Sequence, residues 1–147
     1  MRWPSLAFAL LVVSAMAHAA PPSIEGVWLA DEKNHRIELF VREAVLYGRV
    51  VWTADPGLTD AHNPDPKLRA RKGAGIEHIG GFTRSRDGGW NGGTLYNPED
   101  GKAYQATLRL DGDDHLFIQG RPNVPIIGGL LGSLFGRITY SRERGSR

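Results

Sequence analysis

The chain has 147 residues, with 18 basic and 16 acidic side chains, no cysteine, and a hydrophobic share of 41%. That size fits one domain with one core, and a formal net charge of +2 excludes the strongly basic footprint of a nucleic-acid binder. Without cysteine, disulfide stabilisation and thiol chemistry are excluded in any compartment.

The first segment reads as a targeting leader. Arg2 supplies a short positive region, Leu6 to Met16 is apolar, and Ala17-His18-Ala19 fits the small-x-small cleavage rule. The apolar run is short for a bilayer span. Cleavage after Ala19 leaves one domain, residues 20–147; an uncleaved anchor is the alternative. No cysteine follows the cleavage site to carry a lipid, and no later stretch is long and apolar enough for a membrane helix.

Pro21 and Pro22 lead into a predicted strand at 24–30, which carries Gly26-Val27-Trp28. Asp31 to Asn34 has turn composition. From Arg36 to Arg42 the residues alternate, with Ile37, Leu39 and Val41 on one face and Arg36, Glu38, Phe40 and Arg42 on the other. Glu43-Ala44 is a tight link, and 45–53 is rich in β-branched and aromatic residues, as a strand requires. Gly48 inside it predicts a bulge or bend. Residues 54–73 interrupt the pattern.

Strands resume at 76–83, with Gly80-Gly81 permitting a sharp bend, and at 90–96, which carries Gly92-Gly93. Asn97-Pro98-Glu99-Asp100-Gly101-Lys102 is a turn with glycine available for positive φ. Residues 103–110 alternate again, 111–114 is a hairpin turn, 115–120 is a strand, 122–136 is apolar and glycine-rich, and 138–142 closes the chain. About eight strands with turn signals at short intervals predict a sandwich or barrel. A meander of this size removes its exposed edges by closing on itself.

The long interruption, D-A-H-N-P-D-P-K-L-R-A-R-K-G-A-G at 60–75, is where function is expected first. Pro64 and Pro66 disfavour helical dihedrals at Asn63 and Asp65, so no helix is expected to begin there. Successive Asx-type turns suit Asn63-Pro64-Asp65-Pro66. In an extended segment Arg69 and Arg71 share a face. They suit either a bidentate grip on a carboxylate or phosphate or ion pairs with Asp60, Asp65 or Asp100 that hold the loop down. Asp60, His62 and Asp65 match neither an EF-hand nor the usual zinc spacings, so no metal is expected. Glu99 and Asp100 are read as a solvated turn rather than a catalytic carboxylate pair. Trp52, Trp90, Tyr96 and Tyr104 fit either an apolar pocket with a few polar groups or a filled core. No nucleophile elbow, catalytic cysteine or phosphate loop is present, so no catalytic residue and no cofactor is expected.

In order along the chain, G-V-W at 26–28, L-Y-G-R-V-V-W at 46–52 and D-A-H-N-P-D-P-K-L-R-A-R at 60–71 carry a resemblance. So do G-A-G-I at 73–76, W-N-G-G-T-L-Y-N-P-E-D-G-K-A-Y at 90–104 and G-R-I-T-Y-S-R at 136–142. Together they resemble the bacterial domain of unknown function 2147 family over nearly all of the mature chain. The resemblance implies export to the periplasm of a Gram-negative cell and a small antiparallel barrel of lipocalin type. In such barrels a G-x-W tryptophan closes the base under an arginine from the last strand, a place that Arg137 or Arg142 can take. It implies no reaction. Tyr47 stands where relatives often have Cys, and Tyr140 where they usually have Trp. The segment 122–135 is longer and more apolar than the pattern, which leaves the register of the closing strand open.

The expected fold is therefore all-β: a single antiparallel up-and-down β-barrel of lipocalin type with one long polar loop. The expected function is binding of a small amphipathic or anionic molecule in the periplasm, by Asp60, Asn63, Asp65, Arg69, Arg71, Trp52, Trp90, Tyr96, Asp100 and Tyr104. The alternatives are an envelope interaction module, using the apolar run from Ile126 to Phe135 against a protein or membrane surface, and an enzyme of unknown type.

Overall fold

Side chains that alternate between two environments make strands, and here they make little else. The computed structural model describes residues 20–120 and 137–145. Among these are nine strands: β1 (Gly26–Ala30), β2 (His35–Arg42), β3 (Val45–Thr53), β4 (Glu77–Arg84), β5 (Trp90–Asn91), β6 (Thr94–Asn97), β7 (Lys102–Asp111), β8 (His115–Gly120) and β9 (Arg137–Arg142). All pairings are antiparallel. The order runs β3-β2-β1-β9-β8-β7, continues through β5 and β6 to β4, and β4 pairs back onto β3. β5 and β6 are two pieces of one stave, so the barrel closes with eight staves, in the lipocalin-type architecture expected from the sequence.

The expected strand at 90–96 is broken at Gly92-Gly93. Gly92 has φ +83, and a Cβ at Gly93 would overlap the Phe82 ring of the neighbouring stave. The first strand starts at Gly26, two residues later than expected. Asp65 is extended, as expected for the residue before Pro66, but a single 3-10 turn that was not expected, Pro66–Leu68, opens at Pro66 itself with Asp65 as its cap. Proline suits that position because its missing N–H is not needed in a first turn. The expectations for the leader at 1–19 and for the apolar run at 122–136 lie outside the described residues.

The alternation on β2 puts Ile37 and Leu39 inside and Phe40 outside. Trp28, Phe82, Leu95, Leu108, Leu116 and Ile118 join them in a core to which every stave contributes. Each such side chain stabilises the fold by about 1.5–3 kcal/mol relative to leaving it in water. Gly48 faces inward between Leu39 and Ile79, where a Cβ would meet the Leu39 methyl group at 2.6 Å. The bulge expected at Gly48 is present, as the β3–β4 register shifts on both sides of it.

Strand direction sorts the connections between two ends. The lower end carries the short links at 43–44, 85–89 and 112–114, together with residues 20–25 and 143–145. It is sealed. The Arg142 guanidinium lies 4.1 Å from the Trp28 ring centroid. The same group donates to the carbonyls of Ser23 (2.6 Å), Glu25 (2.9 Å) and Asp113 (2.6 Å). The Trp28 indole N–H donates to Ile24 O at 3.0 Å. Arg137, the other candidate for this role, lies over Phe117 instead, 3.8 Å from its centroid. The upper end carries the connections at 31–34, 54–76 and 98–101, and the strand ends Gly120 and Arg137.

Candidate functional site

The long connection at the upper end is an ordered latch. Thr59 bridges Lys72, Asp60 N–H donates to Arg71 O at 3.0 Å, and Gly73 N–H donates to Leu58 O at 2.8 Å. Between these pairs the polar residues turn the chain. Asn63 Oδ1 accepts from Asp65 N–H at 2.8 Å, and Asp65 Oδ1 accepts from Lys67 N–H at 3.0 Å. These are successive Asx turns, which side chains of this length form with the backbone two residues on.

Asp60 is fully buried, and its carboxylate receives three donors. Tyr96 Oη donates to Oδ1 at 2.5 Å, while Asn63 Nδ2 and Arg71 Nε each reach Oδ2 at 2.7 Å. A buried charge survives only when paired and hydrogen-bonded in this way. Burial and the bond to Asp60 push the Tyr96 phenol up to about 12. Arg69 Nε donates to Asn63 O at 2.8 Å. Both arginines therefore make contacts within the latch.

The latch rests on the turn between β6 and β7. Gly101, at φ +69, lies so close to the His62 carbonyl that a Cβ at 101 would overlap it. Asn97 Oδ1 accepts from Glu99 N–H at 3.1 Å and Asp100 Oδ1 from Lys102 N–H at 2.9 Å. The Tyr104 hydroxyl donates to Asp100 Oδ2, which together with burial pushes that phenol up to about 12. The structure thus brings together Asp60, Asn63, Asp65, Arg69, Arg71 and Tyr96 as the latch, with Asp100 and Tyr104 in the turn beneath it. It separates the two tryptophans from them. Trp52 stands on the outer face, 38% exposed, with the Arg36 guanidinium 4.6 Å from its ring centroid. Trp90 is buried near the lower end, where Arg84 lies 5.5 Å from its centroid.

Beneath the latch the barrel interior turns polar, at residues the sequence reading passed over. His35, His78 and Asn97 are buried. His35 Nδ1 lies 2.6 Å from Asn34 Oδ1, and Nε2 lies 2.8 Å from the Tyr140 hydroxyl. A neutral imidazole satisfies both when Nδ1–H donates to Asn34 and Nε2 accepts from Tyr140. His78 is 2% exposed, and its ring makes no more than loose contacts with the backbone carbonyls of Gly48 and Ile76, while Asn97 Nδ2 has no partner among the described residues. Burial lowers His35 to about 4 and His78 to about 3; His35 adds to the effect on His78, and the Gly48 and Ile76 carbonyls partly oppose it. Both rings are therefore neutral near neutral pH. Burial likewise drives the Tyr140 phenol upward.

His35 was legible: the Ile37, Leu39 alternation carried one step back places it inside. His78 was not. Gly48 pairs with Ile79 and Arg49 with Glu77, so His78 is the extra residue of a β-bulge, and a bulge aims two successive side chains to one face. Among the described residues no group of three or more His, Asp or Glu side chains is placed to hold a metal ion.

A closed antiparallel barrel, sealed below by a tryptophan under an arginine and latched above over a polar interior, is a barrel of the lipocalin type. The chain belongs to the family described as "Uncharacterized protein conserved in bacteria (DUF2147)", which matches residues 26–130. A solved structure, protein HP1028 from Helicobacter pylori, described as belonging to the lipocalin family, is similar with a TM-score of 0.69. The match covers 84% of this chain and 85% of that one at 22% identity, a likeness of fold. No curated protein matches the sequence.

Proposed function

We propose that the protein is an exported periplasmic carrier that binds one small amphipathic molecule at the upper end of its barrel. The observation that carries this reading is the inequality of the two ends. The lower end is closed by Arg142, whose guanidinium spans Trp28 and the carbonyls of Ser23, Glu25 and Asp113. The buried polar residues His35, Asp60, Asn63, His78 and Asn97 all lie at the upper end. Small-molecule sites combine mostly apolar walls with a few placed polar groups, and the upper interior has that composition. Residues 60–71 and the turn at 97–102 guard the entrance. Arg71 is paired with the Asp60 carboxylate, whereas Arg69 gives its Nε to the neutral Asn63 carbonyl and keeps its charge for an acidic group on the ligand.

Native mass spectrometry of the protein purified from the periplasm of its own cells tests the proposal. A retained mass of a few hundred daltons, released by organic solvent, is the expected result. A clean apo mass together with no uptake of any alkyl amphiphile overturns the carrier reading.

A further inference from the structure

Two arginines lie over two tryptophans at the lower end, and they are not equally provided for. Arg142, over Trp28, directs its donors to the carbonyls of Ser23, Glu25 and Asp113. Arg84 lies 5.5 Å from the Trp90 ring centroid, and among the described residues no carboxylate pairs with it. Phe82 is buried in the core, and a strand returns to the same face two residues on, so Arg84 carries the inward face of β4 out to the rim. Its register partner is Trp90, which in turn pairs with Leu108. A cavity of about 200 Å³ opens at this rim. Trp90, Leu110, Pro21 and Pro22 give it apolar walls. Gly88 and Gly112 leave it room, because a Cβ at either would meet nothing within 4 Å.

We infer that this rim cavity is a second binding site, for a compact monocarboxylate with an apolar body, and that Arg84 is its anchor. The site is separate from the upper end and does not depend on the carrier reading. Charge sets the class of ligand. The charged side chains lining the cavity are Arg84, Arg109 and Asp87. Asp87 accepts from Arg109, from the Ser85 hydroxyl and from the Gly89 N–H, so the surplus positive charge rests on Arg84. A guanidinium is a planar fork of donors that meets a carboxylate through two parallel bonds. A phosphate dianion would bring a second negative charge next to Asp87, with no second free cation in the lining to meet it, and would leave the apolar walls unused. Size sets the body. Sites for drug-sized ligands hold about 300–1,000 Å³, and this cavity is smaller, so a single ring bearing one acidic group, of the size of benzoate, suits it.

The test is an NMR titration of the 15N-labelled protein at low salt with benzoate, benzamide and inorganic phosphate. Benzoate is expected to shift the amides of Gly88, Gly89 and Gly112 and the Trp90 indole N–H, and to leave the Asp60 and Asn63 amides in place. Benzamide has the same shape without the charge, and is expected to bind about tenfold more weakly. Phosphate is expected to bind more weakly than benzoate by about the same factor. Arg84→Gln is expected to weaken benzoate about tenfold. The inference is overturned if benzoate shifts only the Asp60 and Asn63 amides, if benzamide or phosphate binds as tightly as benzoate, if Arg84→Gln binds benzoate like the parent, or if benzoate moves no resonance. Should Arg84→Gln fail to fold, the comparison of benzoate with benzamide on the unaltered protein decides alone. None of these outcomes bears on uptake of an alkyl amphiphile at the upper end, so the carrier reading stands or falls separately.

Discussion

The phenol of Tyr96 donates a 2.5 Å hydrogen bond to the fully buried carboxylate of Asp60, tying the long connection to a barrel stave. Tyr96→Phe keeps the ring and removes the donor. Asp60 then retains Asn63 and Arg71 on Oδ2 and, among the described residues, has nothing on Oδ1. A buried acceptor left without its donor costs about 1–3 kcal/mol. Urea unfolding of Tyr96→Phe should show a loss of that size. In an Asp60→Asn background the same substitution should cost much less, because the two residues act through one contact. Equal losses in both backgrounds would mean that Tyr96 stabilises the barrel by packing alone.

Gly101 and the His62 carbonyl set how closely the latch sits on its turn. Gly101→Ala combines a positive φ with a Cβ that overlaps His62 O. Gly112→Ala is the control: its φ is +63, but nothing lies within 4 Å of the added carbon. The control should lose about 1 kcal/mol from backbone strain. Gly101→Ala should lose clearly more, and in a particular place. Hydrogen exchange should accelerate at the Asp60 and Asn63 amides, which donate to Arg71 O and Asp60 O, while the amides of β2 and β8 stay protected. Equal losses for the two variants would show that the contact with His62 carries no energy.

Much of this could be read from residue order, and the parts that could not share one physical cause. Alternation at Ile37, Leu39, Ala106 and Leu108 fixes which face is inside, because a strand has no other way to bury them. The prolines and short polar side chains of Asn63 and Asp65 predict Asx turns, and Asx turns are found. The tryptophans were another matter. Trp52, Trp90, Tyr96 and Tyr104 were grouped by chemistry, yet barrel closure spreads them over the outer face, the lower end and the upper end. His78 escaped because a bulge reverses the face of a side chain without any trace in composition.

Arg142 makes the lower seal in a way that charge alone does not reproduce. Its planar guanidinium donates to three carbonyls and lies over Trp28 at once. Lysine has a single ammonium that cannot span them. Arg142→Lys should therefore lose about 2 kcal/mol, close to the loss of Arg142→Met, despite keeping the charge. Thermal melts of the two variants compare them directly. A lysine variant as stable as the parent would leave the seal to apolar packing of Trp28.

The two buried histidines should make the barrel labile in mild acid. In the unfolded chain each imidazole takes up its proton near 6.5, whereas in the barrel His35 holds out to about 4 and His78 to about 3. Between those values the unfolded state binds more protons, so stability falls as pH falls and is fully present only above the unfolded value. Each group contributes a slope of about 1.4 kcal/mol per pH unit within that window. Urea midpoints taken between about pH 6.5 and 5, above the range where ordinary carboxylates dominate, should therefore drop steeply. In His78→Gln the slope should fall by about half, since His35 alone remains to resist its proton. The same slope in the variant would assign the acid sensitivity to other groups. A flat profile in the parent would mean that both rings take up protons in the folded barrel as readily as outside it.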